Sequence, residues 1–391
     1  MNFDRLKDFL DYYLPMLGVP GSDTVIYKDH EEVFRHLSGY DNLKYRTPMR
    51  SDAIHHVYSC TKIATCVAAL QLIERGEILI NDPIHVYFPE FKNIQVARKG
   101  VDGKVRLEKA KNPILIRHLF SMTSGLDYNI RRSSIERVKK QTEGRCPTLD
   151  IIRALPEDPL VCEPGERFVY GLSHDVLGGI VELISGMKLG DYMKKNIFDP
   201  LGMKDSTFEI GNHNYERIAS QYEYDNVGRC AIEVLKDSNI MRFGSEYHSG
   251  GAGLLSTVAD FVLLTDALAN GGVGKNGARI LSSAAVELLC SPSLSPEQSR
   301  TFEIGAQNMG YDYGLGVRVM RDPAYAGSLV PKGAFGWDGK KMCLSVSDPK
   351  NRIAIFHAEE ISGMNAILIP RLMNVIYSCF EENFANEGEK R

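Results

Sequence analysis

Between Ile63 and Ile73 the only polar residues are Thr65 and Gln71. A helix that is apolar nearly all round has no face to offer to water, so it has to run buried through the middle of the fold. Its end is marked by Arg75-Gly76, a glycine stop. Its entrance is Ser59-Cys60-Thr61-Lys62, where a strand-like apolar run gives way to the helix. Residues three apart share a helix face, with Cβ atoms roughly 5–6 Å apart, so an amine at position 62 can reach a hydroxyl at 59. Burial disfavours the charged form of lysine and pulls its pKa far below the usual value of about 10.4, which lets the amine take a proton from serine. This is a recurring layout for an activated serine nucleophile. An ordinary N-cap role accounts for Ser59 as well, so the tetrapeptide alone leaves both readings open. The same spacing recurs at Ser185-Gly186-Met187-Lys188 and Ser347-Asp348-Pro349-Lys350. The former reads as a helix C-terminus and the latter as a turn between strands, which leaves both lysines solvated. Only the first copy has a buried helix behind it.

The 391 residues suffice for a large core and two subdomains. Hydrophobic content of 43% and charged content of 25% are ordinary for a globular protein, without low-complexity tracts or a fixed repeat. A formal charge of −4 gives no electrostatic basis for nucleic-acid binding, and Arg131-Arg132 and Lys139-Lys140 read as solvated helix faces. Residues 1–10 are charged and amphipathic, unlike the apolar core of a secretory signal. No apolar run reaches about 18 residues, so no membrane span is expected. Eight cysteines without a Cys-x-x-Cys pair, two of them (Cys60 and Cys66) on or near the buried helix, fit reduced thiols in a cytosol.

Periodicity predicts a helix over 2–16, then strands over 22–27 and 32–37 joined by the charged turn Lys28-Asp29-His30. The middle, 82–270, is mainly helical, with helices over 175–184, 189–196 and 260–269. Strands return over 313–319, 341–346 and 353–357, and a last helix covers 366–384. The expected class is α/β (α+β). Residues 1–81 and 271–391 would form one sheet domain from both termini, and 82–270 a helical domain.

Five segments carry a further signal in their order along the chain. They are Ser59-Cys60-Thr61-Lys62, the stretch 116–126 ending in Met122-Thr123-Ser124-Gly125-Leu126, Pro164-Gly165 ahead of Tyr170, the stretch 250–257 opening with Gly250-Gly251-Ala252-Gly253, and Phe335-Gly336-Trp337-Asp338-Gly339. Together they resemble the serine β-lactamase-related hydrolases, the group of class C β-lactamases, penicillin-binding proteins and family VIII-type esterases. The resemblance covers residues 20–375 or so. It implies an antiparallel sheet flanked by helices, a helical domain, and an active site where the two meet.

By this resemblance Ser59 is the nucleophile, Lys62 its base, and Tyr170 the group that passes a proton to the leaving group. A phenol of pKa near 10 serves in that role if a neighbouring Lys⁺ stabilises its phenolate or if it moves a proton in concert with the lysine. A packing role is the alternative for Tyr170, one of 18 tyrosines. Gly336 to Gly339 would precede the strand that lines the site, with Trp337 and Gly339 facing substrate and glycine permitting close backbone approach. The backbone N–H groups of Ser59 and Lys340 would form the oxyanion hole. A buried anchor is the alternative for Trp337, the single tryptophan. No cofactor or metal is implied, and the partner is a small ester, amide or peptide-like substrate.

Two departures bear on that substrate. The family's Tyr-x-Asn is Tyr170-Gly171-Leu172 here, and its Lys-Thr-Gly is Trp337-Asp338-Gly339. Lactamases hold the lactam amide and carboxylate with those polar groups, so their loss favours an esterase or amidase with another anchor, for which Ser173, His174, Lys340 and Lys341 are candidates. A β-lactamase or D-amino-acid-specific peptidase is the alternative within the family, and a non-catalytic peptide-binding or scaffold homologue the alternative outside it. Ser121, Thr123, Ser124 and Gly125 read as a structural loop and His118 as a satisfied polar contact. Gly272-Val273-Gly274-Lys275-Asn276-Gly277 fits the dinucleotide fingerprint in letters but follows a helix where the motif demands a strand, so it reads as a loop. His55-His56, adjacent in a strand-like run, point to opposite faces and are poorly placed to share a metal.

Overall fold

A computed structural model describes residues 1–304 and 308–380. Its main sheet has eight strands: β1 Gly21–Lys28, β2 Glu31–Asn42, β3 Thr47–Pro48, β4 Tyr311–Tyr313, β5 Arg318–Met320, β6 Phe335–Asp338, β7 Leu344–Asp348 and β8 Ile353–Ala358. Their spatial order is β4-β5-β6-β7-β8-β1-β2-β3, with every neighbouring pair antiparallel. The two ends of the chain meet where β1 pairs with β8, Asp23 opposite Ala358 and Lys28 opposite Ile353. The β1–β2 hairpin turns through Asp29 and His30, both left-handed with φ of 51° and 68°. Such a turn carries the right-handed twist of the flanking strands.

Four helices matter for the site: α1 Thr61–Glu74, α2 Ser173–Ser185, α3 Val258–Ala269 and α4 Asn365–Ser378. Strands covered on both faces read as continuous apolar runs, and β1 and β8 do so because each sends alternate residues into two cores. Val25 and Phe356 face a core containing α1, α2 and α3. Ile26 and Ile355 face the other, built from Leu6, Leu10 and Leu14 of the N-terminal helical stretch and Leu368, Leu372 and Ile376 of α4. No helix among the described residues is long and apolar enough to cross a membrane.

Several expected elements shift. The strand expected over 313–319 is the β4–β5 hairpin, bent through Gly316 at φ 88°, where a Cβ would lie 2.3 Å from Cys66 Sγ. The strand expected from 341 begins at Leu344, because residues 339–343 form a tight turn with Met342 at φ 63°. The segment facing the cavity is therefore β6 itself. Helix α3, grouped above with the helical middle, instead packs on β1, β7 and β8. That middle also holds two hairpins, Gln95–Lys99 with Val105–Lys109 and Gln221–Asp225 with Cys230–Val234. The last helix runs over Asn365–Ser378, and residues 381–384 of the expected span lie outside the described residues.

Phe261 of α3 stacks on Phe356 of β8 with centroids 4.5 Å apart, which locks the helix layer to the centre of the sheet. Phe356→Ala leaves a cavity there and should lower stability by about 3–5 kcal/mol. Urea denaturation checks this, with Val101→Ala, fully exposed at a hairpin tip, as a control that leaves the midpoint unchanged.

Candidate active site

The strand His55–His56 pairs with Leu255–Ser256 and delivers the chain to the turn that packs on β6. Tyr58 then takes a left-handed backbone conformation, φ 41°, which is strained for a bulky residue. Its hydroxyl donates to Gln221 Oε1 at 2.6 Å and its ring lies 5.6 Å from that of His56, contacts that hold it in place. The bend opens a short 3-10 turn, Tyr58–Cys60, that runs into α1 and presents Ser59 to a cavity of about 650 Å³. The Ser59 hydroxyl does not act as a helix cap. Its Oγ lies 3.1 Å from Lys62 Nζ.

Lys62 is completely buried. Besides Ser59, its amine reaches Tyr128 Oη at 2.8 Å and the carbonyl oxygen of Gly251 at 2.7 Å. Desolvation lowers its pKa from 10.5 to about 7, against an opposing pull from the buried carboxylate of Asp175. A neutral amine has two donors and one lone pair. Because a carbonyl can only accept, Gly251 takes one N–H, and the lone pair is left for a hydroxyl to donate to. Tyr128 was absent from the sequence expectations. It sits two residues past the stretch 116–126, in a loop whose path no periodicity reveals.

Asp175, on α2, also went unanticipated. Its Oδ1 accepts from Tyr247 Oη at 2.8 Å and from Ser249 Oγ at 2.7 Å, and Ser249 Oγ in turn accepts from the backbone N–H of Ala252 at 3.1 Å. The carboxylate thus ties down the loop that offers the Gly251 carbonyl to Lys62. A Cβ on residue 251 would lie 2.6 Å from Asp175 Oδ2 and 3.2 Å from Tyr128 Oη, so this close approach requires glycine. Burial raises the Asp175 pKa, and its hydrogen bonds and Lys62 lower it again.

Tyr170 joins the same cluster. Its hydroxyl is hydrogen-bonded to Ser59 and accepts from Trp337 Nε1 at 2.9 Å, and its ring centroid is 4.6 Å from Lys62 Nζ. Burial pushes the phenol above its ordinary range despite those hydrogen bonds, so it stays protonated near neutrality. Burial has the same effect on Tyr128. Of the expected residues on β6 and its turn, Trp337 and Lys340 line the cavity with Ser59 and Gly339 does not. The Gly339 N–H is occupied by Cys343 O at 2.6 Å, and a Cβ there would lie 2.5 Å from Val57 O. Gly339 lets β6 close on the segment ahead of Ser59. Asp338 is neutralised by Arg318 Nη1 at 2.7 Å and accepts from Asn365 Nδ2 at 2.8 Å.

The remaining expectations fall outside the cavity. His118 Nδ1 accepts from the N–H of Leu115, Ser121 Oγ donates to Arg117 O, and Ser124 pairs with Ser173. His55 meets Glu360 and His56 meets Lys236 O, on separate partners.

A sheet built from both chain ends, with a Ser-Lys-Tyr cluster against its strand β6, defines a class of protein that comparison makes explicit. The profile of the Beta-lactamase family matches residues 6–358, and the chain belongs to that family. Acyltransferase calJ of Penicillium decumbens is 28% identical over 377 residues, covering 90% of this chain and 87% of that protein. Esterase EstB of Burkholderia gladioli is 27% identical over 360 residues, covering 86% and 84%. The solved structure of simvastatin synthase (LovD) from Aspergillus terreus superposes with a TM-score of 0.80 at 21% identity, covering 97% of this chain and 99% of that one. Its likeness extends to the fold.

Because the folded pKa of Lys62 lies below the ordinary 10.5, the folded chain binds fewer protons than the unfolded one between about pH 7 and 10.5. The Lys62 contribution to folding stability therefore rises with pH across that window, while the buried thiols of Cys60, Cys66 and Cys343, whose pKa burial raises, contribute with the opposite sign at its upper end. NMR of ¹³Cε-labelled lysines should show one resonance titrating near pH 7, absent in Lys62→Met. In Asp175→Asn it should titrate at lower pH, since the opposing carboxylate charge is gone.

Proposed function

We propose that the protein is a serine hydrolase of the esterase type that forms an acyl-enzyme on Ser59. The carrying observation is the fully buried Lys62 amine, 3.1 Å from Ser59 Oγ with a pKa of about 7. The esterase and acyltransferase relatives support the same reading.

In the proposed reaction the Ser59 O–H proton moves to the Lys62 lone pair as Oγ bonds to the ester carbonyl carbon. The negative charge that forms on the carbonyl oxygen is met by the backbone N–H groups of Ser59 and Lys340. Each such donor is worth about 3–4 kcal/mol of barrier. The C–O bond to the alcohol breaks, and its oxygen takes a proton from the Tyr170 hydroxyl as Lys62 returns its proton to that phenol. With both phenols held neutral by burial, the tyrosines relay protons and store no phenolate, so the concerted form of the tyrosine role is the one supported. Water, activated by the same amine, then cleaves the acyl ester and restores Ser59.

The acyltransferase relatives favour a second outcome, in which an alcohol replaces water in the last step. Hydrolysis of β-lactams is less favoured. The residue in place of the family's asparagine, Leu172, is fully buried, and the carboxylate of Asp338 stands near the place of a cationic anchor. A pure scaffold gains nothing from a lysine whose burial opposes its charge. Buried thiols at Cys60, Cys66 and Cys343 around the site support a reducing compartment such as the cytosol.

A fluorophosphonate probe should add one adduct, mapped to Ser59. Ser59→Ala should lose p-nitrophenyl butyrate turnover by about a thousandfold or more while keeping its fold by circular dichroism. In the wild type kcat/KM should climb with pH through a midpoint near 7, because only neutral Lys62 accepts the serine proton. Undiminished turnover in Ser59→Ala would overturn the proposal, and added alcohols diverting product from acid to ester would establish transfer.

A further inference from the structure

The departures at Leu172 and Trp337-Asp338-Gly339 remove the polar groups that would anchor a substrate and leave four replacement candidates. The structure withdraws three of them. Ser173 is fully buried and bonded to Ser124 Oγ at 2.8 Å. His174 is fully buried with Nε2 3.1 Å from Phe120 O. Lys341 is buried with its amine 2.8 Å from Tyr222 O. Lys340 alone is exposed and lines the cavity.

A second cation lines the same cavity. Arg167 is exposed, lines the cavity, and donates to the carbonyl of Val161 at 3.2 Å. Among the described residues neither Arg167 nor Lys340 has a carboxylate partner. Among the described residues the single carboxylate lining the cavity is that of Asp338, already paired with Arg318 at 2.7 Å. The rest of the lining is largely apolar, and its rim includes Ile240 at 58% exposure and Ile304 at 79%. Large apolar side chains left open beside uncompensated cations match a ligand with an apolar body and a negative end.

We propose that the cavity selects an amphiphilic ester, whose apolar body packs against Ile240, Phe302 and Ile304 and whose anionic group, carboxylate or phosphate, is held at the mouth by Lys340 and Arg167. This rests on the hydrolase reading of Ser59 for its chemistry, but not for its binding. A guanidinium presents paired donors to an oxyanion and an ammonium presents a mobile point charge, so together they accept either geometry. The backbone N–H of Lys340 and its side chain would then do separate work, the first at the reacting carbonyl and the second at the far end of the substrate.

Trp337 is the chain's only tryptophan and lines the cavity, so its fluorescence reports occupancy directly. In Ser59→Ala protein, titration with dimethyl suberate, monomethyl suberate and methyl 8-phosphonooxyoctanoate compares a neutral diester with carboxylate and phosphate partners of similar length. At least one anionic probe should bind about fivefold tighter per engaged cation at low ionic strength. The margin should shrink in about 0.5 M salt and collapse in the Lys340→Gln, Arg167→Gln double variant, which keeps the Lys340 backbone N–H. The arm that shows the larger margin identifies the anion. Equal or tighter binding of dimethyl suberate, or a preference that survives the double replacement, would overturn the inference. Failure of the acyl-enzyme reading would show separately, as retained ester turnover in the same Ser59→Ala protein.

Discussion

Desolvating the Lys62 amine requires that bulk water be kept from the turn of helix that carries it, which a helix buried along its length secures. That requirement accounts for the composition of α1, where Thr61 to Leu72 are all buried. It also accounts for its position between α2 and the sheet-bound layer, with Cys66, Val67 and Leu70 inside one continuous core. The few polar atoms admitted beside the amine are each tied to it or to one another. Gly251 O, Ser59 Oγ and Tyr128 Oη meet the amine, and Asp175 holds the loop that brings the carbonyl. Asp175 also limits the desolvation. Burial drives the lysine pKa down and the carboxylate pulls it back, leaving it at about 7, the range in which the base of the proposed reaction is both available and strong enough to act.

Holding this arrangement demands one strained backbone conformation and two close approaches that leave no room for a side chain. Tyr58 is left-handed, Gly251 admits no side chain, and Gly339 brings β6 against Val57 O. Each is offset by packing elsewhere: the tyrosine hydroxyl by Gln221, the glycine loop by Asp175 and Thr65, and the β6 turn by its bond to Cys343. Strain at one point and compensation around it are what a preorganised site looks like, since groups that need not move when charge develops cost nothing to reorient.

How much of this could be read from the letters follows from the range of the interactions. The central helix and the β1–β2 hairpin were legible because their periodicity is local, and Ser59, Lys62, Tyr170 and Trp337 because five segments in order carried a family likeness. Tyr128 and Asp175 were not. One lies in an aperiodic loop and the other on a helix whose apolar pattern gave no hint that it packs beneath the lysine. Their roles arise from contacts 66 and 74 residues apart in sequence, Lys62 with Tyr128 and Asp175 with Ser249, which no short window contains. The β4–β5 hairpin was misread for a related reason. Residues 313–319 run apolar because both arms and the turn are buried, and burial hides the turn that Gly316 makes.

The cavity therefore has two chemically different ends. The closed end holds the Ser59, Lys62 and Tyr170 cluster, to which the proposed reaction assigns the proton transfers, and that reaction asks little of the substrate there beyond an acyl carbonyl. The mouth is bounded by Ile240, Ile304, Arg167 and Lys340, side chains that take no part in proton transfer in the proposed reaction. In the proposed reaction the fate of an acyl group on Ser59 is set between the two ends. Water has to cross an apolar lining to reach it, while an alcohol with an apolar body is drawn into that lining by the burial of its own surface. Relatives that differ in name as esterase and acyltransferase are what such a division allows, since a change of lining at the mouth would shift the competition between water and alcohol without touching Lys62, the proposed base for both.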